Sequence, residues 1–449
     1  QRCPNGMKPI ADYVHGLGMK AGLYTDAGNN TCGSMWDNDA AGVGAGIYGH
    51  EPQDAQLYFG DWGFDFIKID YCGGDALGLN EKERYTSIRN SIDKVNKDVS
   101  INICRWAFPG TWAKDAATSW RISGDINAHW RSLRYVVGKN LYLSAYAGNG
   151  HYNDMDMMVI GFRNDSKVGG QGLTPTEEEA HFGLWCIMSS PLLIGCNLEN
   201  MPDSSLELLT NKELIALNQD PLGLQAYVAQ HENEGYVLVK DIEQKRGNVR
   251  AVALYNPSDT ICSFSVPFSS LEFGGNVKVR DLVKHSDLGN FSGTFEQTLP
   301  AHSAMFLRIE GETRLEPTLY EAEWAYLPLF NDLGKNPKGI IYAHDKEASG
   351  KMKVGFLGGQ PENYAEWREV YSENGGRYDM TIHYLYGKGR QIELDVNGII
   401  TKIDSLGEDN GHNQITVPVE LKAGYNTIRM GNSYNWAPDI DCFTLTKAL

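Results

Sequence analysis

Two carboxylates stand at positions where they could act together on one bond. Asp70 closes the apolar run 64–70 (FDFIKID), and Asp125 ends 119–125 (SWRISGD). Lys68 lies two residues before Asp70, so in a strand it shares that face and brings a positive charge beside the carboxylate. Arg121 precedes Asp125 by four residues. A pair of carboxyl groups flanking a scissile bond is what hydrolysis of a glycoside requires: one attacks or activates water, and the other protonates the leaving oxygen. A lone Asp at a strand end could simply cap the next helix. Two of them on different strands, each with a basic neighbour, favour chemistry.

The elements that must hold these residues alternate in type. Helical apolar spacing at 9–17 is followed by a strand-like run at 20–24, a helix at 54–62 and a strand at 64–70. A helix near 82–95, strands at 100–104, 119–122 and 156–160, a helix at 176–190, a strand at 192–195 and a helix at 204–218 continue the series. Repeated βα units predict a parallel sheet, and polar residues at the strand C-terminal ends favour a barrel, whose active site lies at that end. After Asn218 the period changes to two, in runs such as YVLVKDI and VRAVALYN, which predicts an antiparallel β-sandwich. A polar joint near 310–318 leads into a third block, again strand-rich. The expected domains are a catalytic barrel at 1–222, a small sandwich at 223–312 and a second sandwich at 319–449.

Composition narrows the partners. The chain of 449 residues carries 40 Lys and Arg against 57 Asp and Glu, a net charge of −17. An acidic surface without a basic cluster repels phosphate backbones, so nucleic acid is excluded as a partner. No apolar run reaches the ~18 residues of a membrane span. The eight cysteines lack the short spacing of a zinc site, and Cys104, Cys186 and Cys196 read as buried thiols. Tyr and Trp are plentiful, which suits saccharide surfaces.

Taken in order, GLYTDAGNNTC (22–32), KIDYC (68–72), SWRISGDI (119–126), GHYNDMDMM (150–158), HFGLWCIMSSPLLIGCNL (181–198) and LNQDPLG (217–223) resemble the successive signatures of glycoside hydrolase family 27, the α-galactosidases and α-N-acetylgalactosaminidases. The resemblance covers residues 1 to about 310. It implies a (β/α)8 TIM barrel, cofactor-free catalysis on an oligo- or polysaccharide, Asp70 as nucleophile and Asp125 as general acid/base. Tyr24, Lys68, Trp106, Arg121, Asp156 and Met157 match positions around the bound sugar, and Cys32 and Cys72 match a family disulfide. The segment Cys104–Arg105–Trp106 departs from the family's Cys-Glu-Trp, whose Glu meets the sugar 2-hydroxyl. Arg105 can donate to a hydroxyl but cannot accept from one. Ala128 also replaces a usual Asp. Both departures bear on the glycone, so the alternatives to an α-D-galactoside are an α-N-acetylgalactosaminide and a β-L-arabinopyranoside. A non-catalytic sugar-binding protein is the reading from another class.

In the third block, YEAEWA (320–325), FLGGQPENYAEW (356–367) and PDIDCFTL (438–445) resemble carbohydrate-binding modules of the family 6/35 jelly-roll type. That likeness implies a structural Ca²⁺ held by Glu321, Glu323 and Asp441, hard oxygen donors suited to it. It also implies sugar contacts from Trp436 or Tyr434 beside Asn432 or Asn435. Only six strand ends can be counted in the barrel, near Tyr24, Asp70, Cys104, Ile122, Asp156 and Gly195. The expectation is therefore that the first two strands lie upstream of Gln1, in about 60 to 80 residues at ~30 per βα unit. The expected compartment is extracytoplasmic, secreted or periplasmic.

Overall fold

The computed structural model describes residues 3–162, 172–333, 339–404, 406–407 and 409–448. They form two compact units. The first comprises Gln1–Asp125, Gly150–Asp154 and Asn331–Leu333; the second comprises Ile126–Asn149, Met155–Phe330 and Gly334–Leu449.

The first unit is built on five parallel strands in sequential order: β1 (Gly22–Asp26), β2 (Phe66–Asp70), β3 (Ser100–Ile103), β4 (Ser119–Arg121) and β5 (Tyr152–Asp154). Ile67, Ile69, Ile101 and Ile103 bury their side chains completely or nearly so, as β-branched residues do in a parallel sheet covered on both faces. Helix Glu81–Asp93 connects β2 to β3. It starts where the Asn80 side chain accepts the Glu83 N–H, one of the donors that a helix N-terminus leaves unpaired. Gly28 follows β1, and a Cβ there would lie 2.1 Å from the carbonyl oxygen of Cys72. Only glycine lets these two loops meet.

Three barrel elements differ from the sequence expectation. The strand expected at 156–160 lies earlier, at Tyr152–Asp154, because Asp156 adopts φ 78° and turns the chain out of the extended region. Beyond it, Met158 forms a single parallel bridge with Ile194, and this is all that appears of the strand expected at 192–195. The helix expected at 204–218 is two helices, Asp203–Leu209 and Lys212–Asn218. Asn211 caps the second by accepting the N–H groups of Glu213 and Leu214.

In the second unit, helix Pro175–Ile187 opens with a reciprocal cap between Thr174 and Glu177. It lies against a six-stranded antiparallel sheet ordered β11-β10-β13-β8-β7-β6, with β9 and β12 forming a two-stranded sheet. The ranges are β6 (Tyr227–Glu232), β7 (Gly235–Asp241), β8 (Val249–Asn256), β9 (Cys262–Pro267), β10 (Phe273–Asp281), β11 (Ser286–Ser292), β12 (Thr294–Leu299) and β13 (Ser303–Arg314). Strict alternation along β9 sends Cys262, Phe264 and Val266 into a core with Val239, Leu254, Phe295 and Ile309.

The third block holds two further antiparallel sheets. One contains strands Met352–Gly355, Asp439–Lys447, Gly376–Leu385 and His412–Leu421, and the other contains Tyr364–Ser372, Gly424–Gly431, Ile392–Val396 and Ile399–Ile403. Trp367 of the second sheet meets Phe443 of the first edge-to-face, at 5.1 Å between ring centroids. No helix among the described residues is long and apolar enough to cross a membrane.

Gly183 explains why a glycine interrupts an otherwise apolar helix. A Cβ there would lie 2.1 Å from the Phe306 ring on β13. Gly183→Val is therefore expected to destabilise the protein by about 1–3 kcal/mol, read from denaturant unfolding. An unchanged midpoint would contradict this close packing.

Candidate active site

Parallel pairing sets β1 and β2 in register, with Tyr24 opposite Lys68 and Asp26 opposite Asp70. Because strand side chains alternate, these four share one face at the strand C-terminal ends. The Tyr24 hydroxyl lies 3.0 Å from Asp70 Oδ2 and 3.0 Å from Asp26 Oδ2. Lys68 Nζ stands 3.5 Å from Asp70 Oδ1. Asp70 is 6% exposed and Asp26 fully buried. Burial, reinforced by the charge of Asp70, pushes the Asp26 carboxyl up to about 6. The same two causes, in the same order, raise the Tyr24 phenol far above its ordinary range, so it remains a proton donor.

Asp26 was missed by sequence reasoning, although the alternation that pairs Lys68 with Asp70 applies equally to Tyr24 and Asp26. Its remaining bonds reach both halves of a disulfide. Cys32 N–H donates to Asp26 Oδ2 at 3.2 Å, and Cys72 N–H donates to Oδ1 at 3.1 Å. Cys32 and Cys72 are joined, with a Cα separation of 5.2 Å, as the family resemblance implies. Both sulfurs are spent in that bond, so this cluster is not a metal site.

Arg121, buried at the end of β4, donates to Asp125 Oδ1 at 3.1 Å and to the Ser123 carbonyl at 3.3 Å. The Asp125 side chain itself is 73% exposed. Beyond β3, Cys104 is fully buried, and burial pushes its thiol up and keeps it neutral. Arg105 donates to both oxygens of Asp75, at 3.0 and 2.9 Å, and to Glu81 at 3.3 Å, and its guanidinium lies 4.7 Å from the Tyr71 ring centre. Trp106 takes a left-handed conformation, φ 57°, next to that guanidinium.

Asp156 and Met157 belong to the second unit. The buried Asp156 carboxylate accepts the N–H groups of Ile126 and Met157 at 2.9 and 2.8 Å, and its carbonyl accepts Trp185 Nε1–H at 2.8 Å. Met157 remains 40% exposed.

The structure gathers Glu321, Glu323 and Asp441 in the third block. Glu321 ends strand Leu319–Glu321, which pairs with Asp439–Lys447. Glu323 is not on that strand, as the sequence suggested, but in the 3₁₀ turn Ala322–Trp324 that follows. Ser349 donates through its hydroxyl to Glu321 at 2.6 Å and through its N–H to Asp441 at 2.9 Å. Glu321 Oε2 and both oxygens of Glu323 are buried and find no hydrogen-bond donor among the described residues. Burial raises all three carboxyls, Glu321 to about 7 and Asp441 to about 6; the charge of Asp441 adds to the rise at Glu321, those of Glu321 and Asp441 to the rise at Glu323, and that of Asp345 to the rise at Asp441. Unsatisfied buried carboxylate oxygens on facing elements are the donor set of an oxygen-seeking divalent cation, so these residues fit calcium.

A family model described as "Alpha galactosidase A" matches residues 1–220, and one described as "Alpha galactosidase C-terminal beta sandwich domain" matches residues 234–309. Alpha-galactosidase 3 of Arabidopsis thaliana is 38% identical over 304 residues, which is 67% of this chain and 65% of that protein. Alpha-galactosidase A of Cellvibrio japonicus is 34% identical over 330 residues, 68% of this chain and 76% of that protein. The crystal structure of alpha-galactosidase I from Mortierella vinacea superposes with a TM-score of 0.60 at 26% identity, covering 70% of this chain and 82% of that one. The fold is thus a TIM-type barrel followed by a β-sandwich. The chain belongs to the α-galactosidase family, glycoside hydrolase family 27. It spans about two thirds of the length of the Arabidopsis relative.

The disulfide closes a span of 40 residues. Cys72→Ser should lower stability by roughly 2–4 kcal/mol, chiefly by freeing the unfolded chain. Thermal unfolding with and without reductant checks this: the wild type should fall to the variant's midpoint on reduction, and equal midpoints throughout would contradict it.

Proposed function

We propose that this protein is a retaining α-galactosidase. Asp70 attacks the anomeric carbon from the face opposite the leaving group, giving a β-galactosyl ester as the C–O bond to the aglycone breaks. Asp125 gives its proton to the departing oxygen. It then takes a proton from the water that cleaves the ester, so galactose leaves in the α configuration it arrived in and both carboxyl groups return to their starting states. The observation that carries this reading is Asp70, buried between Lys68 and Tyr24 on one strand end, with a second carboxylate, Asp125, exposed to solvent beside Arg121 after β4. The names of the relatives support galactose as the glycone. Tyr24, Lys68, Cys104, Arg105, Trp106, Arg121, Asp156 and Met157 are assigned to the walls of the sugar site.

Arg105 supports a second reading. Its fork is taken up by Asp75 and Glu81, so the sugar 2-position meets different chemistry from that of a glutamate. An α-N-acetylgalactosaminide or β-L-arabinopyranoside would then be the substrate, and rates on a panel of nitrophenyl glycosides decide between the three.

The proposed organisation is a catalytic (β/α) barrel at 1–222, a small sandwich at 223–312, and a jelly-roll carbohydrate-binding module of the 6/35 type at 319–449. In that module Tyr434 is 80% exposed, and Trp436 lies near Phe356, with ring centroids 6.4 Å apart. These rings are suited to stacking on a sugar. Asn432 holds their loop by accepting the N–H groups of Tyr434 and Asn435. Glu321, Glu323 and Asp441 would hold Ca²⁺, which would cross-link the strand ends. The Cys32–Cys72 bond supports an oxidising, extracytoplasmic compartment.

Two outcomes are expected. Asp70→Gly and Asp125→Gly should each lose ~10³-fold or more in turnover. With azide and an activated aryl α-galactoside, the first should yield the β-galactosyl azide and the second the α-anomer. The same anomer from both would contradict the assigned roles. Calorimetry should show Ca²⁺ raising the melting temperature of the third block, EDTA lowering it, and Glu323→Gln removing the response. A melting temperature indifferent to Ca²⁺ would refute the metal.

A further inference from the structure

Asp26 is a buried carboxylate beside the proposed nucleophile, and the reaction sequence above gives it no work. Four groups converge on it. Cys32 and Cys72 donate their backbone N–H groups, the Tyr24 hydroxyl lies 3.0 Å from Oδ2, and Asp70 lies across that same hydroxyl. A phenol carries one proton, so Tyr24 can donate to Asp26 or to Asp70 but not to both at once. When both carboxyls are ionised, one of the two 3.0 Å contacts has no proton in it. When Asp26 is protonated, it can donate to the Tyr24 oxygen while Tyr24 donates to Asp70, and every contact is satisfied.

We propose that Asp26 is a positioning residue for the attack by Asp70: its ionisation decides whether the Tyr24 hydroxyl is committed to the nucleophile or withdrawn from it. This rests on the reading of Asp70 as nucleophile. With Asp26 neutral, the Tyr24 proton is held on Asp70 Oδ2 and draws electron density from the carboxylate. With Asp26 ionised, Tyr24 is shared, Asp70 is a better nucleophile, and a second negative charge lies near the cation that develops on the sugar.

The neighbours make this equilibrium accessible near neutrality. Facing Asp26 are Tyr24 on its own strand, and Asp70 and Lys68 on β2. The phenol of Tyr85 reaches in from helix Glu81–Asp93 and donates to the Ile69 carbonyl. The disulfide does not titrate. Beyond Asp70 lie the Cys104 thiol and Arg121. Lys68 is directed to Asp70, at 3.5 Å. Burial and the Asp70 charge therefore prevail, and Asp26 exchanges its proton at about 6. Its folded-state value lies above that of a free carboxyl, so Asp26 is neutral below that pH and ionised above it. The second-order rate constant, kcat/KM, which reports the first attack, should rise as pH increases through this range.

The test is the pH profile of kcat/KM for Asp26→Asn on an aryl α-galactoside with a good leaving group, with disulfide content and melting temperature measured on the same samples. The variant should lose the ionisation near pH 6 and fall by ~10-fold or more at pH 7, with the disulfide intact. A wild-type profile in a folded, disulfide-bonded variant overturns the proposal. Tyr24→Phe removes the shared proton and keeps both backbone bonds to Asp26, so it reads the same ionisation if Asp26→Asn fails to fold. Retention of the pH 6 limb in Tyr24→Phe also overturns the proposal. Azide rescue of Asp70→Gly, run in parallel, separates the two ideas: no rescue refutes the nucleophile, whereas rescue with an unchanged Asp26→Asn profile refutes the positioning role alone.

Discussion

The in-register parallel pairing of β1 with β2 places Asp26 opposite Asp70 and Tyr24 opposite Lys68, and the chemistry of the first unit follows from that constraint. Two carboxylates so close in a buried place repel each other and lose hydration. The surrounding groups answer both problems. Lys68 faces one oxygen of Asp70, the Tyr24 phenol bridges the two carboxyls, and two backbone N–H groups take the oxygens of Asp26. Those N–H groups belong to Cys32 and Cys72, so the disulfide that ties two strand-end loops also fixes the donors on the carboxylate beside Asp70. Gly28 is part of the same device, since a side chain there would push the Cys72 carbonyl away.

The third block meets a comparable difficulty with a different answer. Glu321, Glu323 and Asp441 are buried together, and Ser349 supplies only two hydrogen bonds to the cluster. Among the described residues, no lysine or arginine forms an ion pair with these three carboxyls. Where the barrel neutralises a carboxylate pair with a lysine, a phenol and backbone amides, this cluster leaves oxygens suited to a divalent cation.

Much of this was legible from the amino-acid sequence. The alternation FDFIKID gives Lys68 and Asp70 a common face, and the βα period gives a parallel sheet. Asp26 escaped attention because the strand-like run expected at 20–24 (KAGLY) ends at Tyr24, although the same alternation gives Tyr24 and Asp26 a common face. Its partnership with Asp70 is a matter of register between strands, which no single-strand pattern contains. The strand expected at 156–160 failed for a local reason, the left-handed backbone of Asp156, a conformation that short polar side chains tolerate and periodicity cannot foresee. Glu323 looked like the second member of an alternating strand, but the chain leaves the sheet at Glu321. Arg105 was visible as a departure; that its fork turns to Asp75 and Glu81 depended on tertiary contacts.

The central claim is that Asp70 forms the covalent bond to the sugar. Inactivating the enzyme with an activated 2-deoxy-2-fluoro galactosyl substrate, then digesting it and mapping peptides by mass spectrometry, tests this directly. The account predicts one fluorosugar per active enzyme, esterified to the peptide bearing Lys68 and Asp70 and located on Asp70. A label on Asp125, on Asp26 or on any other carboxylate would contradict it.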